Sequence, residues 1–390
     1  MKKNFKGLAA ALLGLFFAAG NAHSQDVPLR NKKNGAYTFT VEKVNDAHAV
    51  QNQNRTGTCW SFSSLSFFES ELIRMGKKDY SLSEMFVVHH TYEDKADRYV
   101  RLNGHLNFSA GGAFHDVAYV IKNYGMVPEE IYGGLNYGFD SHNHGEMDEV
   151  LLGMVKAVVK RKSGKLTTSW KPAVSSTLDA YLGKLPETFE YKGKTYTPKS
   201  YAKESGIDPD NYVEISSYTH HPFYSSFILE VPDNWLFKSV YNLPMDDMMQ
   251  VIDQALLNGY TIAWAADVSE KGFSHRNGLA VVPDFSKISP EQKKTMWDDL
   301  IIPELEITQE MRQKAYDNYE TTDDHGMHII GLVKDQKGNK FYMVKNSWGT
   351  ESNQCGGYFY ASENFVKYKT MDVMVNKNAI PKKIRKKLKL

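Results

Sequence analysis

The chain holds two cysteines, Cys59 and Cys355, and the first sits where a thiol is readily made reactive. It follows Gly57-Thr58 and opens the run "CWSFSSLSFFESELIRMG", in which Trp60, Leu65, Phe68, Leu72 and Met75 recur at helical spacing. A thiol at a helix N-terminus meets unpaired backbone N–H groups and the positive end of the dipole, both of which favour thiolate. Six residues upstream, Gln53 carries an amide that could join the Cys59 N–H in a two-donor oxyanion site. Late in the chain, "DDHGMHIIGL" offers His325 and His328, either able to act as base and then acid. Asn346, in "FYMVKNSWG", has an amide that can fix the tautomer and orientation of such an imidazole. A buried structural cysteine is the plainer reading of Cys59 taken alone, but it leaves this company unexplained.

The elements that must position these residues fall into two parts. Gly76 ends the helix opened by Cys59, and "LSEMFVVHHTY" and "AFHDVAYVIKNYG" predict two further helices, the second stopped by Gly125. Residues of about 140–245 are mixed and polar without a strong motif, and are expected to be an insertion or accessory region. "PMDDMMQVIDQALLNG" predicts an amphipathic helix leading into the strand "YTIAWAADV", and residues 284–320 a charged stretch of loop and helix. From His325 the hydrophobic period becomes two, and "HGMHIIGLV", "KDQKGNK" and "FYMVKNSWG" read as strand, turn and strand. "GGYFYAS" and "TMDVMVN" read as further strands. Helices first and antiparallel strands last predict an α+β fold.

Hairpin arithmetic does not decide between the two histidines. Three residues apart on a strand, they face opposite sides. A turn centred on Lys337 would set His328 nearer Asn346, and a single bulge would undo that.

Composition narrows the setting. "MKKNFKGLAAALLGLFFAAGNAHSQ" places Lys2, Lys3 and Lys6 ahead of an apolar run and small residues before a cleavage point after Ser24, the pattern of a secretory leader. Residues 1–24 are therefore expected to be a signal peptide, with 25–390 one exported domain of the periplasm or exterior. No membrane span is expected after cleavage. The formal net charge of +1 gives no general attraction for nucleic acid, which is not an expected partner. With 42% hydrophobic and 13% aromatic residues a sizeable core is available. If Cys59 is reserved for chemistry, no disulfide is left, and stability must come from packing.

Gln53-x5-Cys59-Trp60-Ser61-Phe62-Ser63 and Lys345-Asn346-Ser347-Trp348-Gly349 resemble the two signatures of the papain-like cysteine peptidases, and "LSEM" at Leu82 to Met85 and "AGGAF" at Ala110 to Phe114 match as well. The missing disulfide cysteines, the long Cys-to-His separation, "NYGMVPEEIY" and "DDHGMHIIGL" are more similar to the bleomycin hydrolase and aminopeptidase C branch. The resemblance implies a papain-like fold with a helical left half and an antiparallel β right half, peptide substrates and no cofactor or metal. It assigns Cys59 as nucleophile, His325 as acid and base, Asn346 as its orienter and Gln53 as oxyanion donor, with Gly111 and Gly112 lining the substrate cleft. It favours His325 over His328 because Gly326 and Gly331 stand where the family has small residues. Trp348 is expected over Asn346. The branch further implies a homohexamer, and a C-terminal carboxylate, here that of Leu390, that meets the substrate amine and makes the enzyme an aminopeptidase. An endopeptidase, an acyl transferase and a non-catalytic peptide-binding scaffold are the alternatives.

Other clusters read more plainly. "HNHGEMDE" presents His142, His144, Glu146 and Asp148, read as a solvated polar loop rather than a metal site. His89-His90 and His220-His221 read as surface or core-edge residues. The tail "AIPKKIRKKLKL" is a basic terminal helix, and Cys355 a free, partly buried thiol.

Overall fold

The computed structural model describes residues 29–161 and 164–390; the expected leader over 1–24 lies outside them. Two short strands, β1 (Leu29–Arg30) and β2 (Thr38–Val44), precede three helices, α1 (Cys59–Arg74), α2 (Glu84–Arg101) and α3 (Phe114–Asn123). The region expected as an insertion begins with α4 (Gly145–Val159), α5 (Trp170–Leu182), the hairpin β3 (Phe189–Tyr191) and β4 (Lys194–Tyr196), and α6 (Pro198–Ser205). Strands β5 (Tyr212–Ser216), β6 (Ser226–Ile228) and β7 (Ser239–Asn242) follow. The right half begins with α7 (Met245–Leu257), β8 (Ile262–Ala266), β9 (Phe273–Ser274) and β10 (Leu279–Ala280), then α8 (Pro290–Lys294) and α9 (Gln309–Asp317). The chain closes with β11 (His325–Asp335), β12 (Lys340–Lys345), β13 (Tyr358–Ser362), α10 (Glu363–Lys369), β14 (Thr370–Asn376) and α11 (Lys382–Leu388).

One large sheet runs in the order β6-β7-β5-β14-β8-β11-β12-β13-β10-β9, with β2 alongside the far end of β11 and β1 beyond it. Most pairs are antiparallel; β5 with β7 and β10 with β13 are parallel. The sheet therefore reaches into the region expected as an insertion, which supplies β5, β6 and β7 to one of its ends.

Helix α1 lies between the sheet and the other helices and is buried from Trp60 to Leu72. Its apolar side chains Phe67, Phe68 and Leu72, at 0% exposure, join residues of α2, α3, α4 and α5 in the first core. Each such burial is worth roughly 1.5–3 kcal/mol. The face toward β11 is built of serines, and their small size lets the strand come close. A Cβ on Gly326 would stand 2.7 Å from Ser63 Oγ. The helix dictated by the Cys59 run thus meets the sheet at its first turn, beside the head of β11. A second core on the sheet's other side is closed by α7, α10 and α11.

Candidate active site

A cavity of about 490 Å³ opens at the N-terminus of α1 and is lined by Gln53, Cys59, Trp60, Gly111, Gly112, His325, Gly326 and Trp348 among others. Thr58 precedes the helix, but its hydroxyl is engaged with that of Thr56 at 2.6 Å and caps nothing. Ser61 N–H donates to Thr58 O at 2.9 Å, whereas the Cys59 N–H, at the very start of the helix, precedes any carbonyl of its own helix that it could bond. Gln53 is 6% exposed and held at both ends: Ser347 Oγ donates to its Oε1 at 2.6 Å, and its Nε2 donates to Thr56 O at 2.8 Å. One amide hydrogen of that Nε2 is left over.

Alternation along β11 separates the histidines. Gly326 and His328 face α1, and His328 Nδ1 is 2.9 Å from Ser66 Oγ, which also accepts from Lys345 Nζ at 2.7 Å. His325 faces the other way, and its Nε2 lies 2.7 Å from Asn346 Oδ1. The ladder pairs His328 with Lys345, and its register shifts between Ile329 and Gly331. Without that bulge His328 would stand opposite Asn346; with it, Met327 takes that place and His325, two residues back on the same face, reaches the amide.

Asn346 is itself held by a residue that no sequence motif pointed out. Its Nδ2 lies 3.3 Å from Nδ1 of His275, whose Nε2 is 2.8 Å from Ser352 Oγ. The Ser352 hydroxyl donates to Gly349 O at 2.6 Å, so it can only accept from His275. Proton directions then follow along the chain. His275 donates from Nε2 and accepts at Nδ1, Asn346 must present Oδ1 to His325, and His325 carries its proton on Nε2. Its Nδ1 is left as a free base. The Trp348 ring lies over His325, centroids 4.8 Å apart, and meets His275 edge-on at 4.7 Å. It covers both imidazoles rather than Asn346 alone.

Burial pushes the Cys59 thiol up to about 12, although the N–H groups of Gly326 and Trp60 donate to the sulfur and pull the other way. Burial likewise pushes His325 down to about 4, opposed by Asn346, and His275 down to about 4. Burial thus acts against the helix terminus at Cys59 and against the Asn346 bond at His325.

The strip from Ser109 to Ala113 forms the neighbouring wall. Lys95, 2% exposed, donates to Ser109 O and Gly111 O; Trp60 Nε1 donates to Ala110 O at 3.0 Å; and Ala113 N donates to Asp116 Oδ2 at 3.0 Å. A Cβ on Gly111 would fall 1.8 Å from Asp233 Oδ2, and one on Gly112 2.8 Å from the Trp60 ring. The region expected as an accessory insertion also lines the cavity, through Glu214, Leu229, Val231, Asp233 and Val240, and Asp233 abuts the strip at Ser109.

Leu390 requires correction. It is not among the cavity residues: its N–H donates to Arg385 O at 3.1 Å, and its side chain packs against the second core. Ile384 and Leu388 anchor α11 there, which draws the terminus away from the cleft. The "HNHGEMDE" stretch is also not a solvated loop, since His142 is 9% and His144 0% exposed. His89 likewise is fully buried, 3.2 Å from Asp179. Among the described residues the ligand atoms of His220, His221 and Glu230 come together. There the carboxylate already bonds both rings, at 3.2 and 2.8 Å. Cys355 is a free thiol 2.7 Å from Asn31 O.

Comparisons with known proteins agree with this geometry. Aminopeptidase W of Lactobacillus delbrueckii subsp. lactis is 24% identical over 400 residues, covering 90% of this chain and 86% of that protein. The mitochondrial cysteine proteinase 1 of Saccharomyces cerevisiae is 20% identical over 410 residues, covering 92% and 80%. The crystal structure of PepW from Lactobacillus rhamnosis superposes with a TM-score of 0.66 at 20% identity, over 90% of this chain and 84% of that one, which establishes the papain-like fold. The model of the Peptidase C1-like family matches residues 18–390, and the chain belongs to that family of cysteine peptidases, on its aminopeptidase C side.

Proposed function

We propose that this protein is an exported aminopeptidase that cleaves peptide bonds through a thioacyl-enzyme on Cys59. The observation that carries the reading is the convergence of Cys59, Gln53 and His325 on one cavity, with Asn346 bonded to His325 behind it. Substrate entry places a carbonyl over the α1 N-terminus, where the Cys59 N–H and the spare Gln53 amide hydrogen receive the developing oxyanion. Cys59 passes its proton to His325 Nδ1 as its sulfur attacks, so thiolate and imidazolium appear together and compensate each other. The C–S bond forms, the C–N bond breaks, and His325 returns the proton to the departing amine. A water deprotonated by His325 then releases the acid and restores the thiol.

The relatives named aminopeptidases support removal of N-terminal residues, and the leader-like pattern of residues 1–24 in the sequence supports work outside the cytoplasm. The position of Leu390 favours a second reading, an endopeptidase with an open cleft. Two reporters decide between them: an aminoacyl amide with a free amine and the same reporter on an N-blocked peptide, each with wild type and Cys59→Ala. Cys59-dependent cleavage of the free-amine reporter alone is expected. Cleavage of the blocked peptide means an endopeptidase, and activity that survives Cys59→Ala overturns the reading.

A further inference from the structure

Among the described residues, the cavity beside Cys59 is lined by five carboxylates, those of Glu214, Asp233, Asp323, Asp324 and Asp372, and by no lysine or arginine. Three of them have partners. Glu214 bonds the His115 ring and its N–H, each at 2.7 Å; Asp233 accepts from Asn107 and Ser109; and Asp324 accepts from the N–H groups of Val268 and Ser269. Asp323 and Asp372 have neither hydrogen bond nor ion pair among the described residues. Asp372 is only 8% exposed, and a carboxylate so buried without a partner is costly. Arg312 attracts it through space without an ion pair; its guanidinium lies 4.6 Å from the centre of the Tyr218 ring and its Nε donates to Ser217 O.

Register fixes where Asp372 lies. Ala265 of β8 pairs with Gly326 of β11 on one side and with Asp372 of β14 on the other. Gly326 donates its N–H to the Cys59 sulfur. Asp372 is thus two strands, about 10 Å, from the backbone beside the nucleophile. That span suits a cation near a scissile carbonyl, held on the substrate's amine or on a long side chain.

We propose that Asp372 and Asp323 form the subsite for a cationic group of the substrate, an ammonium or guanidinium. The proposal rests on the peptidase reading above and deepens it by giving the substrate its charge. It also supplies an anionic anchor in the cleft where the terminal carboxylate of Leu390 is absent. Burial and neighbouring like charge raise Asp323 to about 7 and Asp372 well above the carboxylate range, and a bound cation relieves both.

The test compares wild type with Asp372→Asn and Asp323→Asn on three reporters: a free-amine leucyl amide, an N-acetyl-arginyl amide, and an N-acetyl-leucyl amide carrying no cation. The readout is the ratio of variant to wild-type kcat/KM on each reporter that wild type cleaves, counted per active site titrated with a thiol-directed reagent, so a folding defect cancels. A fall of about tenfold or more in that ratio is expected for Asp372→Asn. Its appearance on the first reporter assigns the site to the α-amine, and on the second to a basic side chain. Unchanged ratios in both variants overturn the proposal. A wild type with no Cys59-dependent cleavage of any reporter overturns the peptidase reading instead.

Discussion

His325 and Asn346 meet at 2.7 Å between Nε2 and Oδ1, although their strands are not paired at either residue. The contact depends on the bulge after Ile329 and on His275, which takes the other end of the amide. Because Ser352 can only accept from His275, the orientation of every group from Gly349 O to His325 is determined. His325 lines the cavity together with Cys59, and its Nδ1 is the ring nitrogen that Asn346 leaves free.

Removing the orienting amide should therefore cost turnover rather than binding. Asn346→Ala is expected to lower kcat roughly ten- to hundredfold with KM nearly unchanged. Steady-state kinetics on the free-amine reporter checks this, and a matching rise in KM would argue that Asn346 contacts substrate instead.

His275 acts one step further out. His275→Ala should lower kcat several-fold, about 1 kcal/mol for a lost hydrogen bond, and should add almost nothing on top of Asn346→Ala. A double-mutant cycle measures that coupling. Independent, additive losses would mean that His275 supports the fold and not the amide.

The glycine wall is tight for two different reasons. Gly111→Ala pushes a methyl into the Asp233 carboxylate and is expected to raise KM. Gly112→Ala meets the Trp60 ring beneath it and should lower stability by about 1–3 kcal/mol. Thermal melts and KM values from the two variants separate the effects.

Asp323 gives a pH signature. Its carboxyl is raised to about 7 by burial and by Asp233, Asp324 and Glu214, with His115 opposing. A folded-state value above the unfolded one of about 3.9 means stability that is full below that value and lost as pH rises toward 7. Asp323→Asn removes the loss. Its melting temperature should exceed that of wild type by a few degrees at pH 8 and by less at pH 5.

Trimming the tail tests the correction to Leu390. Deleting Lys389 and Leu390 should leave the preference for a free amine as in wild type, since neither residue lines the cavity. Loss of that preference, read from the free and blocked reporters, would restore the terminal carboxylate to the cleft.

Much of this was readable in the chain because local rules carried it. The helix begun by Cys59, the hairpin from His325 and the stops at Gly76 and Gly125, with φ of +81° and +96°, follow from period and turn chemistry. The choice of His325 needed a bulge that no pattern in "HGMHIIGLV" announces. His275 and Asp372 were silent because their roles arise from strand pairing across a long sequence separation. Lys95 and Asp116 stand in no motif, yet they hold the glycine strip. The region of 140–245 looked accessory because its strands are short and its apolar residues scattered. Only the sheet order shows that it walls the cleft. The helix terminus at Cys59 is visible in sequence, whereas the burial that opposes it is not.

The central claim is a covalent thioacyl bond at Cys59, and acid-quenched intact mass spectrometry during turnover of an activated acyl ester observes it directly. The account predicts an acyl adduct that maps to Cys59, that hydroxylamine releases, and that is missing from Cys59→Ala. Turnover with no adduct in wild type, or an adduct that persists in Cys59→Ala, would contradict it.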